Sequence, residues 1–488
     1  MKQQIPHPLI SIIPLIALIA MIATVMRMLP DEALSGASQI SMMIATSICV
    51  ALSMAIYRTK WQVFEDSIKK TIGDTSVSIL ILLLIGVMSS TWMISGVVPT
   101  LIYYGVQIIT PSLFLPCACI ISALVSLMTG TSWTTIATIG IALLGIGNAL
   151  SVPEAFTAGA IISGAYFGDK MSPMSDTTVL ASSVSGADLF KHIRYMMYTT
   201  VPSITISLLL YLIMGFWFSG ERVEPSIYIQ GLEHSFHITA WTFLVPLFTG
   251  ILIWKKVPSF ITLTLSSIAA IVCAIVLQTD ALMEIACTQT AMFDSPSLTG
   301  RAGVGLMAVL KVCYSNTQLD TGFAEVNNLV ATRGMAGMLD TVWLILCAMC
   351  FGSCMVASNM LKSLTRILLK TIRNTFSLVT STVVSGVLLN LIMGDQFLSI
   401  IMNASIYKEE YADRGYRPEL LSRSTEDSAT VTSVLVPWTA CGMTQSTVLG
   451  VPTLVYLPFC FFNIISPIMS ILFALFGKIP RGNSNREQ

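Results

Sequence analysis

Charge is what this sequence has least of. Only 11% of its 488 residues are Asp, Glu, Lys or Arg, while 54% are hydrophobic. An ordinary globular domain carries about 25% charged residues. The polar surface of a soluble body is missing, which excludes a soluble globular enzyme. Neither sign is in excess, because 26 basic and 26 acidic residues leave a formal charge of zero, so no nucleic-acid footprint is indicated. Histidine is rare: His7, His192, His234 and His237 all fall near the ends of apolar runs, and none is assigned a catalytic role. The cysteines lie mostly inside apolar runs and imply no disulfide framework. Cys347, Cys350 and Cys354 share a helical spacing, but with no His or carboxylate beside them they read as packing residues and not as a metal set. No nucleophile–base pair or phosphate loop is present, so the expectation is no enzyme and no cofactor. Strict alternation, the mark of a membrane β-barrel, is also missing.

What is present is a series of apolar runs of membrane-crossing length. The first, Pro8 to Met26, ends at Arg27 without a small-x-small cleavage site and reads as a retained span. Further spans are expected near Ile40–Tyr57, Val77–Tyr104, Ser112–Leu127, Val201–Phe218, Ile238–Trp254, Ile261–Leu277, Val342–Met360, Ser377–Met393 and Val451–Phe476. Between them, 129–147, 158–185 and 394–449 are too polar or too Gly-broken for simple spans. Residues 279–340 read as a mixed, amphipathic insertion.

Basic residues orient the spans. Clusters at Arg58–Lys70, Lys191–Arg194, Lys255–Lys256, Lys362–Arg373 and Lys478–Arg486 can all be cytoplasmic if both termini are. The opposite loops, Pro30–Gln39 and Gly220–His237, then carry acidic residues. On this assignment the first span runs outward and the Ile238 span inward, so residues 1–235 and 236–488 are expected to be two repeats of inverted topology. Two echoes agree. GTSWTT at Gly130 resembles GDQFLS at Gly394, and SDTTVLASS at Ser175 resembles EDSATVTSV at Glu426.

The chemistry lies in the stretch from Ser163 to Thr200 and in its distant counterpart. Asp169, Lys170 and Asp176 sit among small and hydroxyl residues, and Asp395, Glu426 and Asp427 occupy the second half. An ionisable group at the bilayer centre costs about 2.5–3.5 kcal/mol, so the five acids would cost roughly 12–17 kcal/mol if charged and alone. A domain's stability is about 5–15 kcal/mol. Pairing, protonation, a bound cation or a water-filled cavity must relieve this burden. Gly168, Pro173, Ser172, Ser175, Thr177 and Thr178 disfavour a continuous helix, and exposed carbonyl, hydroxyl and carboxylate oxygens suit a hard cation such as Na⁺. Desolvation disfavours the charged form of the same carboxylates, which lets them take a proton instead. Asp169–Lys170 also reads as a structural ion pair, Asp395 as a helix cap beside Gly394, and Glu409, Glu410, Asp413 and Arg414 as a solvated loop.

FGDKMSPMSDTT, the DLFKHIRYMMYTT that follows it, and LSRSTEDSATVTSVLVPW resemble the NhaC family of Na⁺/H⁺ antiporters, part of the ion-transporter superfamily. The resemblance runs from TWMISGVVPTLIYYG at Thr91 to LGVPTLVYLPFCFFNIISP ending at Pro467. It implies an all-α polytopic membrane protein of two inverted-topology repeats with broken helices and re-entrant hairpins. Its place would be the bacterial cytoplasmic (inner) membrane, as a homodimer embedded in the lipid bilayer. Carried over, it points to Asp169, Ser172, Asp176, Thr177 and Thr178 in the first repeat, and to Glu426, Asp427, Thr430 and the Pro437–Trp438 turn in the second. With Asp395 these form the expected ion- and proton-binding set, with Na⁺ at Asp176 and Asp427 and Lys170 as counter-charge or substrate contact. Gly130, Ser132, Gly168, Pro173, Gly394 and Pro437 are the expected hairpin and broken-helix positions. Family members often carry Asn where this chain has Val179 and Thr439, which removes an amide from each place. Relatives include malate/lactate exchangers and amino-acid carriers. Na⁺/H⁺ exchange is therefore the leading expectation, and a Na⁺- or H⁺-coupled carrier of a small organic acid or amino acid is the alternative.

Overall fold

The computed structural model describes residues 5–28, 36–218, 226–289 and 301–476. Among these, nine helices are long and apolar enough to cross a membrane, or eleven if two bent pairs count as one span each. The bent pairs are Ile227–Ser235 with Ala240–Trp254, at 86°, and Thr453–Phe459 with Phe461–Phe476, at 57°. No strand occurs among the described residues beyond an isolated bridge between Thr317 and Thr332. Large apolar side chains such as Ile213, Trp217, Leu247 and Val276 face outward, as lipid rather than water requires. The protein is an all-α, multi-pass membrane protein.

Several spans differ from the reading by hydropathy. Val77–Tyr104 is two helices, Trp61–Ile94 and Val97–Ile108, parted where Gly96 takes a positive φ of 79°. The 129–147 stretch is helical from Ser132 to Ala149, with a π turn at Ile136–Gly140. The 279–340 insertion holds the helices Thr279–Gln289, Arg301–Tyr314 and Ala324–Val330. Glu409, Glu410 and Asp413 end the Gln396–Asp413 helix rather than forming a loop, with Glu410 held 2.6 Å from Arg414. The basic cluster at 478–486 and parts of both acidic loops lie outside the described residues.

Proline breaks two further helices, and in the same way. Pro has no N–H and pushes its predecessor to extended backbone. Ser172, before Pro173, has ψ 129°, and Val436, before Pro437, has ψ 118°. Each chain then re-enters a helix through a hydroxyl cap. Ser175 Oγ accepts from Thr178 N to start Asp176–Ser185, and Thr439 Oγ1 accepts from Gly442 N to start Ala440–Leu449. Gly168 is not part of the break. The Glu154–Met171 helix runs through it unbroken, and Gly164 and Gly168 instead let that helix press on Pro111–Thr129. A Cβ at either would strike the carbonyl oxygen of Cys119 or Ala123, and Ser126 Oγ donates across the same contact to Ala165 O at 2.6 Å.

These elements recur at one spacing. Pro111–Thr129 and Thr375–Met393 are both 19 residues long and end at left-handed Gly130 and Gly394, 394 less 130 or 264 residues apart. The same interval relates Ser132–Ala149 to Gln396–Asp413, the Pro173 break to the Pro437 break, and Asp176–Ser185 to Ala440–Leu449. Those last two helices end at left-handed Gly186 and Gly450. The Gly130–Gly394 echo fits this register, but the Ser175–Glu426 echo does not. Ser175 corresponds to Thr439, and Asp176 to Ala440, so Asp176 and Asp427 do not hold equivalent positions. The two halves also clasp each other, for Ser38–Tyr57 packs on Leu339–Ala357 of the second half and Ser259–Leu277 on Trp61–Ile94 of the first.

Gly164→Val should destabilise the detergent-solubilised protein by about 1–3 kcal/mol, the usual cost of overpacking. Gly73→Ala, where a Cβ would meet nothing within 4 Å, should leave the thermal midpoint unchanged or raise it, since Ala is the better helix former. Equal midpoints for both variants would refute the close approach at Gly164.

Candidate ion site

Within the first half, the hairpin turn Gly130–Thr131 lies against the Ser172–Ser175 break. Gly130 has φ 68°, and a Cβ there would strike the Met174 backbone. The turn aims the N-terminus of the Ser132–Ala149 helix inward, and Asp169 at the end of the opposing helix meets it. Asp169 Oδ2 accepts from Ser132 N at 3.0 Å and from Ser132 Oγ at 2.7 Å. Two donors at the positive end of a helix offset much of a buried carboxylate's cost.

Glu426 and Asp427 open a π turn, Glu426–Thr430, that interrupts the second half's broken helix. The two acids face different partners. Thr177 Oγ1 donates to Glu426 Oε1 at 3.1 Å, but Glu426 Oε2 and Thr430 Oγ1 have no hydrogen-bond partner among the described residues, and Glu426 is 0% exposed. Glu426 lies within electrostatic reach of Lys170, which is paired to Asp427, and less strongly of Asp169. Ser175 Oγ lies 3.0 Å from Thr177 Oγ1, and Thr178 Oγ1 ties the new helix to Lys170 O at 3.0 Å. Ser172 Oγ accepts from Met174 N at 3.2 Å.

Asp427 faces the other way, into the bases. Lys170 Nζ pairs with its Oδ1, and both side chains are fully buried. Ser466 Oγ accepts from Lys170 Nζ and donates to the same Oδ1, each at 3.0 Å, while Thr199 Oγ1 donates to Oδ2 at 2.9 Å. Arg423 Nε stands 3.9 Å from Oδ2. The expected Asp169–Lys170 pair is thus replaced by Lys170–Asp427, because successive residues at a helix end point to different sides.

A cavity of ≈ 80 Å³ is lined by Asp169, Asp176, Thr177 and Gly130, with Gln396 and Phe397 from the second half. A water takes about 30 Å³ of liquid volume, so it has room for a cation with little hydration. Asp176 is exposed there, while Asp427, Glu426 and Thr430 all lie outside its lining. The cavity therefore does not join Asp176 and Asp427 as ligands of one Na⁺, and Glu426 meets it only through Thr177. Asp395 is buried elsewhere. It caps the Gln396–Asp413 helix by accepting from Leu398 N at 2.9 Å, the alternative already open for it. Gly394 O accepts from Ala440 N at 2.8 Å, which binds the second hairpin turn to the Pro437 break.

Counted together, Asp169, Glu426 and Asp427 face Lys170 and Arg423. Three buried carboxylates against two bases leave the cluster one positive charge short, and the shortfall lies at Glu426 and Asp169. Arg423, Thr199 and Ser466 were missed by sequence reasoning. Arg423 had a signal: it stands four residues before Asp427, on the same helical face.

A site of this kind in this fold agrees with the similarity to known proteins. The sequence model of the Na⁺/H⁺ antiporter family matches residues 164–478. The chain belongs to that family. Bacillus subtilis Na⁺/H⁺ antiporter NhaC is 34% identical over 86% of this chain and 88% of its own. The Bacillus subtilis malate-2H⁺/Na⁺-lactate antiporter is 31% identical over 85% and 84%. The Halobacterium salinarum arginine/ornithine antiporter ArcD is 30% identical over 86% and 82%. A structure of Neisseria gonorrhoeae MtrF, from a class of antimetabolite efflux pumps, covers 98% of this chain at a TM-score of 0.34 and 13% identity, too remote to carry an argument. As a member of this family the chain is a multi-pass membrane transporter.

Asp427→Asn should lower stability by about 3–5 kcal/mol, because it strands Lys170 and Arg423 without an anion. Adding Lys170→Met should recover part of the loss, as thermal unfolding in detergent can show. Losses that simply add would mean that the two residues are not coupled.

Proposed function

We propose that this protein exchanges Na⁺ for H⁺ across the cytoplasmic membrane, with Asp169 and Glu426 as the carboxylates that hold either ion. The observation that carries this reading is Glu426: wholly buried, one oxygen unpartnered, and without a base of its own. A carboxylate so placed needs a cation or a proton. Na⁺ would draw on Glu426 Oε2, Thr430 Oγ1 and the Thr177 hydroxyl, with Asp169 opposite. Asp176, at the cavity, would be its approach. A proton on the same carboxyl group removes the charge that attracts Na⁺, which makes the two ions rivals. Family membership supports the pair of ions.

The wider arrangement belongs to the same proposal. The 264-residue recurrence supports two repeats, divided near residue 235, and the basic clusters support their inversion with both termini cytoplasmic. Alternating access would then move one half against the other about the shared site. The homodimer expected from the sequence is an independent question for cross-linking in native membranes. A second reading, coupled transport of an organic acid or amino acid, is favoured by relatives at 30–31% identity whose names state such substrates.

The test is transport in sealed proteoliposomes. An imposed Na⁺ gradient should drive proton movement, and Glu426→Gln should reduce it by at least about tenfold, the equivalent of about 1.4 kcal/mol of coupling, while the variant still inserts. Near-normal exchange by Glu426→Gln would sink the assignment. Flux that requires malate, lactate or a basic amino acid in the same vesicles would favour the second reading.

A further inference from the structure

Arg423 is a fully buried cation with nothing to hold. Its Nε, Nη1 and Nη2 make no hydrogen bond among the described residues. The guanidinium carbon lies over the rings of Tyr195 and Phe473, 4.6 Å and 4.7 Å from their centroids. Glu419, one turn earlier on the same face, does not claim it, and the nearest anion, Asp427, is already filled by Lys170, Ser466 and Thr199. Five N–H donors left idle beside a carboxylate at 3.9 Å are costly in one fixed state. They make sense if a second state uses them.

The two cations around Asp427 differ in how they are attached. Lys170 comes from the other half of the chain, on the last turn of Glu154–Met171, two residues before the Ser172–Ser175 break. Its pairing with Asp427 is a bridge between halves. Arg423 lies on the same helical run as Asp427, four residues before it, and travels wherever Asp427 goes. Any motion that parts the halves separates Lys170 from Asp427 and leaves Arg423 in place.

We propose that Lys170–Asp427 is a latch between the two halves, and that Arg423 is the reserve partner that takes Asp427 when the latch opens. The proposal rests on the exchange reading only in requiring that the halves move. Phe473, on the same half as Arg423, holds the guanidinium 4.7 Å from its ring and stays beside it when the halves part. Closing 3.9 Å to a charge-assisted hydrogen bond of about 2.8 Å takes a shift of about 1 Å. The planar fork then meets Asp427 Oδ2, which Thr199 of the first half gives up as Lys170 leaves Oδ1. Asp427 stays paired throughout and is not one of the groups that exchange ions.

The test compares wild type, Arg423→Met and Arg423→Lys for Na⁺ binding by calorimetry and for exchange in proteoliposomes. Arg423→Met should bind Na⁺ with an affinity within about threefold of wild type yet turn over at least about tenfold more slowly, because opening now strands Asp427. Arg423→Lys, which still reaches an i+4 carboxylate, should recover much of the rate. Wild-type turnover in Arg423→Met would overturn the proposal. So would loss of Na⁺ binding together with turnover, which would make Arg423 part of the ion site itself. If Arg423→Met does not fold, wild-type protein supplies the second measurement. Lys170, shielded at rest, should react faster with a membrane-permeant amine reagent under a Na⁺ gradient than without one, and equal protection in both conditions would overturn the latch. Wild-type vesicles that move neither Na⁺ nor H⁺ would instead remove the exchange reading. Equal Lys170 protection with and without malate, lactate or a basic amino acid in those vesicles would then overturn the latch as well.

Discussion

Buried charge in the interior of a membrane protein is the constraint to which the rest of this structure answers. Asp169, Glu426, Asp427, Lys170 and Arg423 are all buried to 5% exposure or less, where each ionised group alone would cost about 2.5–3.5 kcal/mol. The molecule relieves each differently. Asp169 rests on a helix N-terminus, Asp427 on two bases and two hydroxyls, and Arg423 on two aromatic faces. Two of these groups keep hydrogen-bonding capacity unmet: Glu426 has one oxygen unpartnered, and Arg423 has all three nitrogens without a hydrogen bond among the described residues. Incomplete relief is what singles out Glu426, the carboxylate without a paired base, as the group proposed to take a cation or a proton.

The recurrence at 264 residues lets the two halves be compared position by position. The position of Asp169 is taken in the second half by Ser433, that of Asp176 by Ala440 and that of Thr177 by Cys441. Ser433 Oγ still reaches toward Gln396 Oε1, at 3.3 Å, as Asp169 reaches Ser132, so the backbone device survives without the charge. Conversely, Arg423, Glu426 and Asp427 stand where the first half has Gly159, Ile162 and Ser163. Each half keeps the fold of the break and contributes different chemistry to the same centre.

Much of this was legible in the sequence. Low charge and long apolar runs indicated a multi-span helical protein, and Pro173, Pro437, Gly130 and Gly394 marked real breaks and turns, because proline and a left-handed glycine act locally. Gly168 misled, since small residues at four-residue spacing serve helix contact as well as helix breaking. The pairing of charges was not legible. Which side of a helix end Asp169 and Lys170 face depends on the helix being intact to Met171, and the π turn at Glu426 that sends two adjacent acids to different partners leaves no simple mark in composition. The span at Val77–Tyr104 failed for a related reason: hydropathy does not see a bend at Gly96 when both arms are apolar.

The account turns on one carboxylate cluster that holds Na⁺ or a proton and not both. The most direct measurement is calorimetric titration of the purified protein with Na⁺ in buffers of differing ionisation enthalpy, repeated across neutral pH. Linkage requires that protons released by Na⁺ and the weakening of Na⁺ binding by acid be two faces of one coupling. The account predicts saturable Na⁺ binding that expels up to about one proton per ion and weakens as pH falls through the cluster's titration. Saturable binding with no proton release and no dependence on pH would contradict it, because Na⁺ would then be held by groups that do not titrate.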